Sequence, residues 1–129
     1  VAGKIVLDAT NHVDVENPAS VLGSPSNAEE IQTRHPKVRV VKAFNSAFAS
    51  RMADPSVKGI KLDGFVAGDD KEAKDKVLEL VGSIGFRPID AGPLVMARVP
   101  EHMAFLNITL QIRNGWPWQN GWKLVGPPG

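Results

Sequence analysis

The sequence predicts an α/β fold with a mostly parallel sheet covered by helices on both faces, and three observations carry that prediction. Short apolar runs at residues 5–9, 38–43, 62–67 and 86–91 read as strands. Capped or amphipathic segments fall between and after them, so strand and helix alternate four times, an order that packs helices over a parallel sheet. The strands are near-continuous in their apolar residues rather than alternating, as strands buried on both faces are.

Each element has a local reason. Residues 5–9 close on the polar Asp8, Thr10 and Asn11, and residues 11–25 are rich in Asn, Asp, Ser, Gly and Pro without a sustained period, which predicts a long loop. Ser26 and Glu29 have capping-box spacing and open a helix carrying Ala28, Ile31 and Gln32 that Pro36 stops. The β-branched run 38–43 ends at Phe44, Asn45 and Ser46, with one or two helical turns expected over 46–53. After the strand at 62–67, Gly68 punctuates and Asp69 is the expected N-cap of a helix striped by Ala73, Val77, Leu80, Val81 and Ile84, with Gly85 as its C-cap. The strand at 86–91 runs into Gly92, Pro93 and Leu94. Residues 101–113 form a last helix whose broad stripe of Met103, Phe105, Leu106, Ile108, Leu110 and Ile112 suits a core or an interface. Residues 114–129 hold all three Trp and read as an irregular tail. On this reading residues 1–94 are one α/β unit, and residues 95–129 are a C-terminal helix with a Trp-rich tail.

Composition narrows the function. The 129 residues, 43% hydrophobic and 22% charged, are enough for one globular domain. A formal net charge of +1 gives no electrostatic reason to expect nucleic acid as a partner. No apolar run approaches the roughly 20 residues of a membrane span, and residues 1–4 resemble no signal peptide, so the expected location is cytoplasmic, away from any membrane. Zero Cys excludes a disulfide framework, a thiolate zinc site and a cysteine nucleophile. Val1 is not an initiator Met and residues 5–7 follow as a strand almost at once, so the chain is expected to begin in mid-domain.

In open α/β sheets ligands sit beyond the carboxyl ends of the strands, which directs attention to Thr10 and Asn11, Phe44 and Asn45, Gly68 and Asp69, and Gly92 to Leu94. Asn11 and Asn45 can each hydrogen-bond a carboxamide or ring carbonyl, and Phe44 and Leu94 can wall a flat ring. The plainer reading makes both Asn residues turn or N-cap residues, and spacing alone favours it. His12, Asp14 and Glu16 alternate with Val13 and Val15 as ligands on one side of an extended segment would, but two hard carboxylates without a second His nearby read better as a solvated edge. No metal site is expected. The nucleophile elbow, the Walker phosphate loop and Gly-x-Gly-x-x-Gly are not in the sequence.

Taken together, the strand ends resemble a known family. Residues 3–11 (Gly-Lys-Ile-Val-Leu-Asp-Ala-Thr-Asn), 41–45 (Val-Lys-Ala-Phe-Asn) and 65–70 (Phe-Val-Ala-Gly-Asp-Asp), with residues 85–94, 106–108 and 121–126, are similar to stretches of the NADP oxidoreductases that act with coenzyme F420, in order and over nearly the whole chain. The resemblance implies a Rossmann-like fold and hydride transfer between NADP(H) and a 5-deazaflavin, coenzyme F420. It covers only the later part of such proteins, without their glycine-rich phosphate turn, and His12 stands where relatives usually have Pro. By resemblance, Thr10 and Asn11 border the nicotinamide, and Lys42, Phe44, Asn45, Pro93 and Leu94 lie by the deazaflavin. These are binding roles. Direct hydride transfer needs orientation and exclusion of water rather than a general acid or base, so no catalytic residue is expected.

Two expectations follow: part of an NADP-dependent oxidoreductase or, as the alternative, a non-catalytic module that kept the fold without dinucleotide binding. The partners expected are small-molecule cofactors, together with either a second copy of the chain or a companion N-terminal portion. The first strand has no earlier strand to pair with, and the last helix is apolar on more than one side.

Overall fold

The computed structural model describes residues 2–127. Its elements are β1 (Ile5–Asp8), α1 (Pro18–Leu22), α2 (Asn27–Arg34), β2 (Arg39–Lys42), α3 (Ala49–Met52), β3 (Ser56–Val57), β4 (Ile60–Lys61), β5 (Asp63–Gly68), α4 (Lys71–Ile84), β6 (Arg87–Gly92) and α5 (Arg98–Asn114), the last entered through a 3₁₀ turn at Leu94–Ala97. Four strands form the main sheet in the order β1-β2-β5-β6. Two of its three pairings are parallel, β1 with β2 and β5 with β6, while β2 and β5 run antiparallel. The sheet is α/β and mostly parallel as expected, but mixed.

Helices cover both faces because neighbouring residues of the central strands point opposite ways. Val41 and Val66 join Ala73, Val77 and Val81 of α4 and Phe86 in one cluster. Val40 and Ala67, one residue away in each strand, join Ala28 of α2 with Leu94 and Ala97 of the 3₁₀ turn in the other. The strand tops are level across the sheet, with Asp8 opposite Lys42, Lys42 opposite Ala67, and Ala67 opposite Gly92.

Local signals are met where the partners are local. Ser26 Oγ accepts from Glu29 N at 3.1 Å and Glu29 Oε2 accepts from Ser26 N at 2.8 Å, closing the capping box of α2. Gln32 of that helix donates to Val38 O and accepts from Val40 N, tying it to the start of β2.

Other expectations need correction. The loop over 11–25 contains α1, begun by a proline at its first position, where the missing N–H costs nothing. The cap of α4 is Asp70, whose carboxylate accepts from Ala73 N at 2.8 Å. Asp69 is instead spent on Leu94 N, also at 2.8 Å, a partner 25 residues away that no capping rule anticipates. Leu80, placed in the buried stripe of α4, is 44% exposed. Between α3 and β5 lies an unforeseen hairpin, β3 with β4, turned by Lys58 and Gly59 at positive φ, 52° and 78°.

Of the stripe expected of α5 only Phe105 is buried. The buried residues of the helix are Pro100, Glu101, Ala104, Phe105, Asn107 and Gln111, whereas Leu106 and Ile112 are 50% and 53% exposed. The polar side chains turn inward because each has work there. Glu101 meets Lys42, and Gln111 donates to Asn107 Oδ1 and Asn120 Oδ1 and accepts from Trp118 N.

Residues 115–127 run without helix or strand and are tied down at two places. Gln111 holds Trp118 and Asn120, and the Trp118 ring meets Phe48 edge-on at 5.3 Å. The buried Asp63 takes two bonds from Arg87, at 2.6 and 2.9 Å, and one from Leu124 N at 2.7 Å, while its own N–H donates to Trp122 O. Burial alone would raise the Asp63 carboxyl, but the Arg87 guanidinium, the Leu124 N–H and Lys123 outweigh it and hold it below the ordinary range.

Candidate functional site

The centre of the molecule is a buried ammonium. Lys42 ends β2 with no exposed side-chain surface, and its Nζ lies 2.8 Å from Asp8 Oδ2 and 2.7 Å from Glu101 Oε2. It donates also to the carbonyl of Thr10. Three donors meeting three acceptors satisfy an ammonium completely. The carboxylates are shared onward. Asp8 Oδ1 accepts from Thr10 N and Thr10 Oγ1, and Glu101 Oε2 accepts from Asn27 N. One cluster thus joins β1, β2, the first turn of α2 and the first turn of α5. Burial pushes the Asp8 carboxyl up, yet the Lys42 ammonium and the Thr10 hydrogen bonds prevail and keep it below its ordinary value.

From that cluster the chain leads directly to the amides. Asn11 Nδ2 donates to the Asn45 carbonyl at 2.9 Å, and Asn45 Nδ2 donates to Asn11 Oδ1 at 3.0 Å. The first bond fixes which way Asn11 faces, and the second then fixes Asn45. Neither is the N-cap of a helix, since α3 is preceded by Phe48 and α2 by Ser26. Asn45 is 4% exposed, and its Oδ1 is buried with no hydrogen-bond partner. A buried acceptor left open costs on the order of 1–3 kcal/mol, so this oxygen is the least satisfied atom of the region. Phe44, just before it, holds a φ of 65°, a conformation rare for a bulky residue, and its ring meets Phe86 edge-on at 6.2 Å.

The structure therefore brings Thr10, Asn11, Lys42 and Asn45 together, with Phe44 beside them. Pro93 and Leu94 are held differently. They follow β6, which the antiparallel β2–β5 pairing points opposite to β1 and β2. Pro93 is exposed, and Leu94 is 3% exposed in the core with its N–H on Asp69. No hydrogen bond joins them to the amide pair among the described residues. The family resemblance singles out Lys42 but not its partners: Asp8 reads only as a strand end, and Glu101 only as the start of a helix.

His12, Asp14 and Glu16 do not converge. Asp14 Oδ1 accepts from Asn17 N before α1, and among the described residues no three His, Asp or Glu side chains gather as a metal would need. Among the same residues no helix is long and apolar enough to cross a membrane.

The chain can be set against known proteins. No protein-family model matches it. It is 33% identical over 123 residues to the F420-dependent NADP reductase of Methanothermobacter marburgensis, covering 88% of this chain and 54% of that protein. A solved structure from Arthrobacter sp. FB24, assigned as an F420-dependent NADP reductase, superposes with a TM-score of 0.80 at 32% identity, over 97% of this chain and 59% of the other. The metalloreductase STEAP3 of Rattus norvegicus is 38% identical over 103 residues, which is 78% of this chain and 20% of that protein. This chain is homologous to the F420-dependent NADP reductases and the STEAP metalloreductases. It spans about half the length of the F420-dependent relative and about a fifth of the metalloreductase. Oxidoreductase relatives of two kinds thus match most of this chain in sequence.

Proposed function

We propose that the chain is the acceptor-side portion of an NADP-dependent oxidoreductase, the part that orients a nicotinamide against a deazaflavin such as coenzyme F420 or a related acceptor. The observation that carries this reading is the homology over 88% of the chain to an F420-dependent NADP reductase. The site's chemistry supports it. Asn45 is itself buried and orients the half-buried Asn11 amide through two hydrogen bonds, leaving Asn11 to meet the carboxamide or ring imide of a cofactor. The Thr10 hydroxyl lies at the exposed rim, where a cofactor can reach it. Lys42 and Leu94, both buried, act from behind: Lys42 fixes the Thr10 carbonyl, and Leu94 backs the sheet.

The bound cofactors supply the hydride donor and acceptor. The protein's part is to align two flat rings and keep water out, and a paired-amide turn held by buried charge provides a rigid stop for one of them.

Fluorescence titration of the chain with coenzyme F420 tests the reading. Binding in the micromolar range that weakens about tenfold in Asn45→Ala, with the fold retained by circular dichroism, is the expected result; tenfold is about 1.4 kcal/mol, the scale of one lost hydrogen bond. A folded chain that does not bind F420 refutes the assignment of this site. In the same series NADPH binds poorly or not at all, because the chain has no Gly-x-Gly-x-x-Gly turn to receive the pyrophosphate. Micromolar NADPH binding places the dinucleotide site elsewhere.

A further inference from the structure

Lys42 is one ammonium between two carboxylates, and the charges do not balance. Asp8 and Glu101 are each 3% exposed and Lys42 is 0% exposed, so a negative excess sits where salt and water screen it poorly. Hydrogen bonding fixes the ionised forms. Lys42 Nζ, Thr10 N and Thr10 Oγ1 donate to Asp8, and Lys42 Nζ and Asn27 N meet Glu101 Oε2. Thr10 Oγ1 takes a bond from Asn27 Nδ2 and gives its own proton to Asp8. A protonated acid would need an acceptor of its own, and none faces either carboxylate among the described residues.

The ordinary duties of the cluster account for one acid, not two. Asp8 pairs with the ammonium and clamps Thr10. Glu101 anchors the first turn of α5, but anchoring needs only an acceptor. Its Oε2 alone meets Lys42 and Asn27 N, while its Oε1 accepts no hydrogen bond among the described residues. A glutamine there would hold both donors through its carbonyl oxygen without burying a second negative charge, which is costly. Neighbouring groups do not cancel that charge. Arg98 and Glu29 pair with each other, and the N-terminus of α2, whose Asn27 N–H points at Glu101, offsets only about half a charge.

The excess lies directly behind the site. Thr10 is tied to the cluster through its N, its Oγ1 and its carbonyl, and the next residue is Asn11. We propose that Glu101 sets the charge preference of this site, so that the chain holds a cationic pyridinium ring more tightly than the neutral dihydropyridine of the same shape. Which ring is held rests on the oxidoreductase reading. Loss of hydride from a dihydronicotinamide breaks its C4–H bond and carries the electron pair to the acceptor. The nicotinamide ring is left a cation, and the acceptor, reduced by two electrons, gains the negative charge. A fixed anion behind Thr10 and Asn11 therefore favours the oxidised nicotinamide, and Glu101 biases the site toward oxidising NADPH. At an effective dielectric constant of about 20, two unit charges roughly 10 Å apart change an equilibrium by about tenfold.

Two rings of one shape and different charge test this: the 1-methylnicotinamide cation and 1-methyl-1,4-dihydronicotinamide. Neither needs a pyrophosphate turn. Each is titrated at millimolar concentration into the chain, followed by the side-chain amide NMR signals of Asn11 and Asn45, with the fold of every variant checked by circular dichroism. The cation is expected to bind about tenfold more tightly than the dihydro form, and to keep that preference at about 0.3 M salt, since a buried charge is screened little. Glu101→Gln brings the two affinities within about twofold. Glu101→Asp, which keeps the charge, keeps the preference, and so does Glu30→Gln, which removes an exposed acid of α2. Equal affinities in the unaltered chain overturn the proposal, whether or not any variant folds. A preference that survives in folded Glu101→Gln overturns it too. A folded chain that binds neither ring refutes the oxidoreductase reading of this site, and the proposal falls with it.

Discussion

Replacing Lys42 by Met tests the buried charge cluster most directly. The methionine fills nearly the same volume but removes the ammonium that meets Asp8 Oδ2, Glu101 Oε2 and the Thr10 carbonyl. Two carboxylates, 3% exposed each, then face one another without a cation. Removing one partner of a buried ion pair costs about 3–5 kcal/mol, a large part of the 5–15 kcal/mol that holds a domain of this size. At roughly 3–5 °C per kcal/mol for a chain between the small and mid-size ranges, the melting temperature falls by about 9–25 °C.

The pH dependence identifies the cause. In the unaltered protein the folded Asp8 carboxyl titrates below its unfolded value, so its contribution is complete above about pH 4 and is lost as pH falls through the depressed folded value. Without Lys42, burial dominates and the folded value rises above the unfolded one. The penalty is then full at pH 7 and shrinks as pH falls toward 4, because the folded state takes up a proton more readily than the unfolded chain. Urea unfolding of both proteins at pH 7 and pH 4.5 measures the difference. A loss below about 1 kcal/mol at pH 7, or a deficit unchanged at pH 4.5, refutes the argument that Lys42 neutralises a buried pair of acids.

Asp63→Ala removes the buried carboxylate that holds both Arg87 and the Leu124 N–H; it is expected to cost about 3 kcal/mol and to release the chain after Trp122, seen as a red shift of Trp emission and faster trypsin cleavage at Lys123. Since the folded Asp63 value is depressed, this tie is present above about pH 4 and weakens below it, so acid alone should produce the same red shift. Gly64→Ala puts a Cβ 2.5 Å from Val81 Cγ1 and 3.2 Å from Phe86 Cβ; overpacking of this kind costs about 1–3 kcal/mol, and a neutral result in thermal melts would show that α4 can shift away from β5.

Sequence signals are sufficient where structure depends on neighbours in the chain. The Ser26 and Glu29 box and the Asp70 cap of α4 rest on contacts within a few residues, and the strands announce themselves by their own apolar runs although they pair with segments 24–34 residues away. The hairpin at 56–61 has a weak signal, Lys58-Gly59 between Val57 and Ile60, but two-residue strands do not build a period. What stays hidden is set across the fold. Asp69 looks as good a cap as Asp70 until Leu94 takes its carboxylate. The α5 stripe of Met103, Phe105, Leu106, Ile108, Leu110 and Ile112 reads as a core or interface face on hydrophobicity alone; Phe105 does go inside, and only the Lys42 and Trp118 partners explain why Glu101 and Gln111 point inward beside it. Of the candidate site, Asn11 and Asn45 are recognisable as polar residues at strand ends; their mutual bonds, across 34 positions, cannot be read from spacing.

The sheet has a consequence for how the molecule comes apart. Its two parallel pairs, β1 with β2 and β5 with β6, meet only at Val41 opposite Gly68 and Lys42 opposite Ala67. The β5–β6 half carries its own crossover helix, α4, and the β1–β2 half carries α2, so each half is local in the chain. Ion pairs from outside the sheet also cross the join: Glu101 of α5 on Lys42 of β2, Arg98 of α5 on Glu29 of α2, and Arg39 of β2 on Asp70 and Glu72 at the start of α4. A chain cut in the exposed Ala53–Asp54 segment should reassemble from its two pieces, with α5 of the second piece gripping the first.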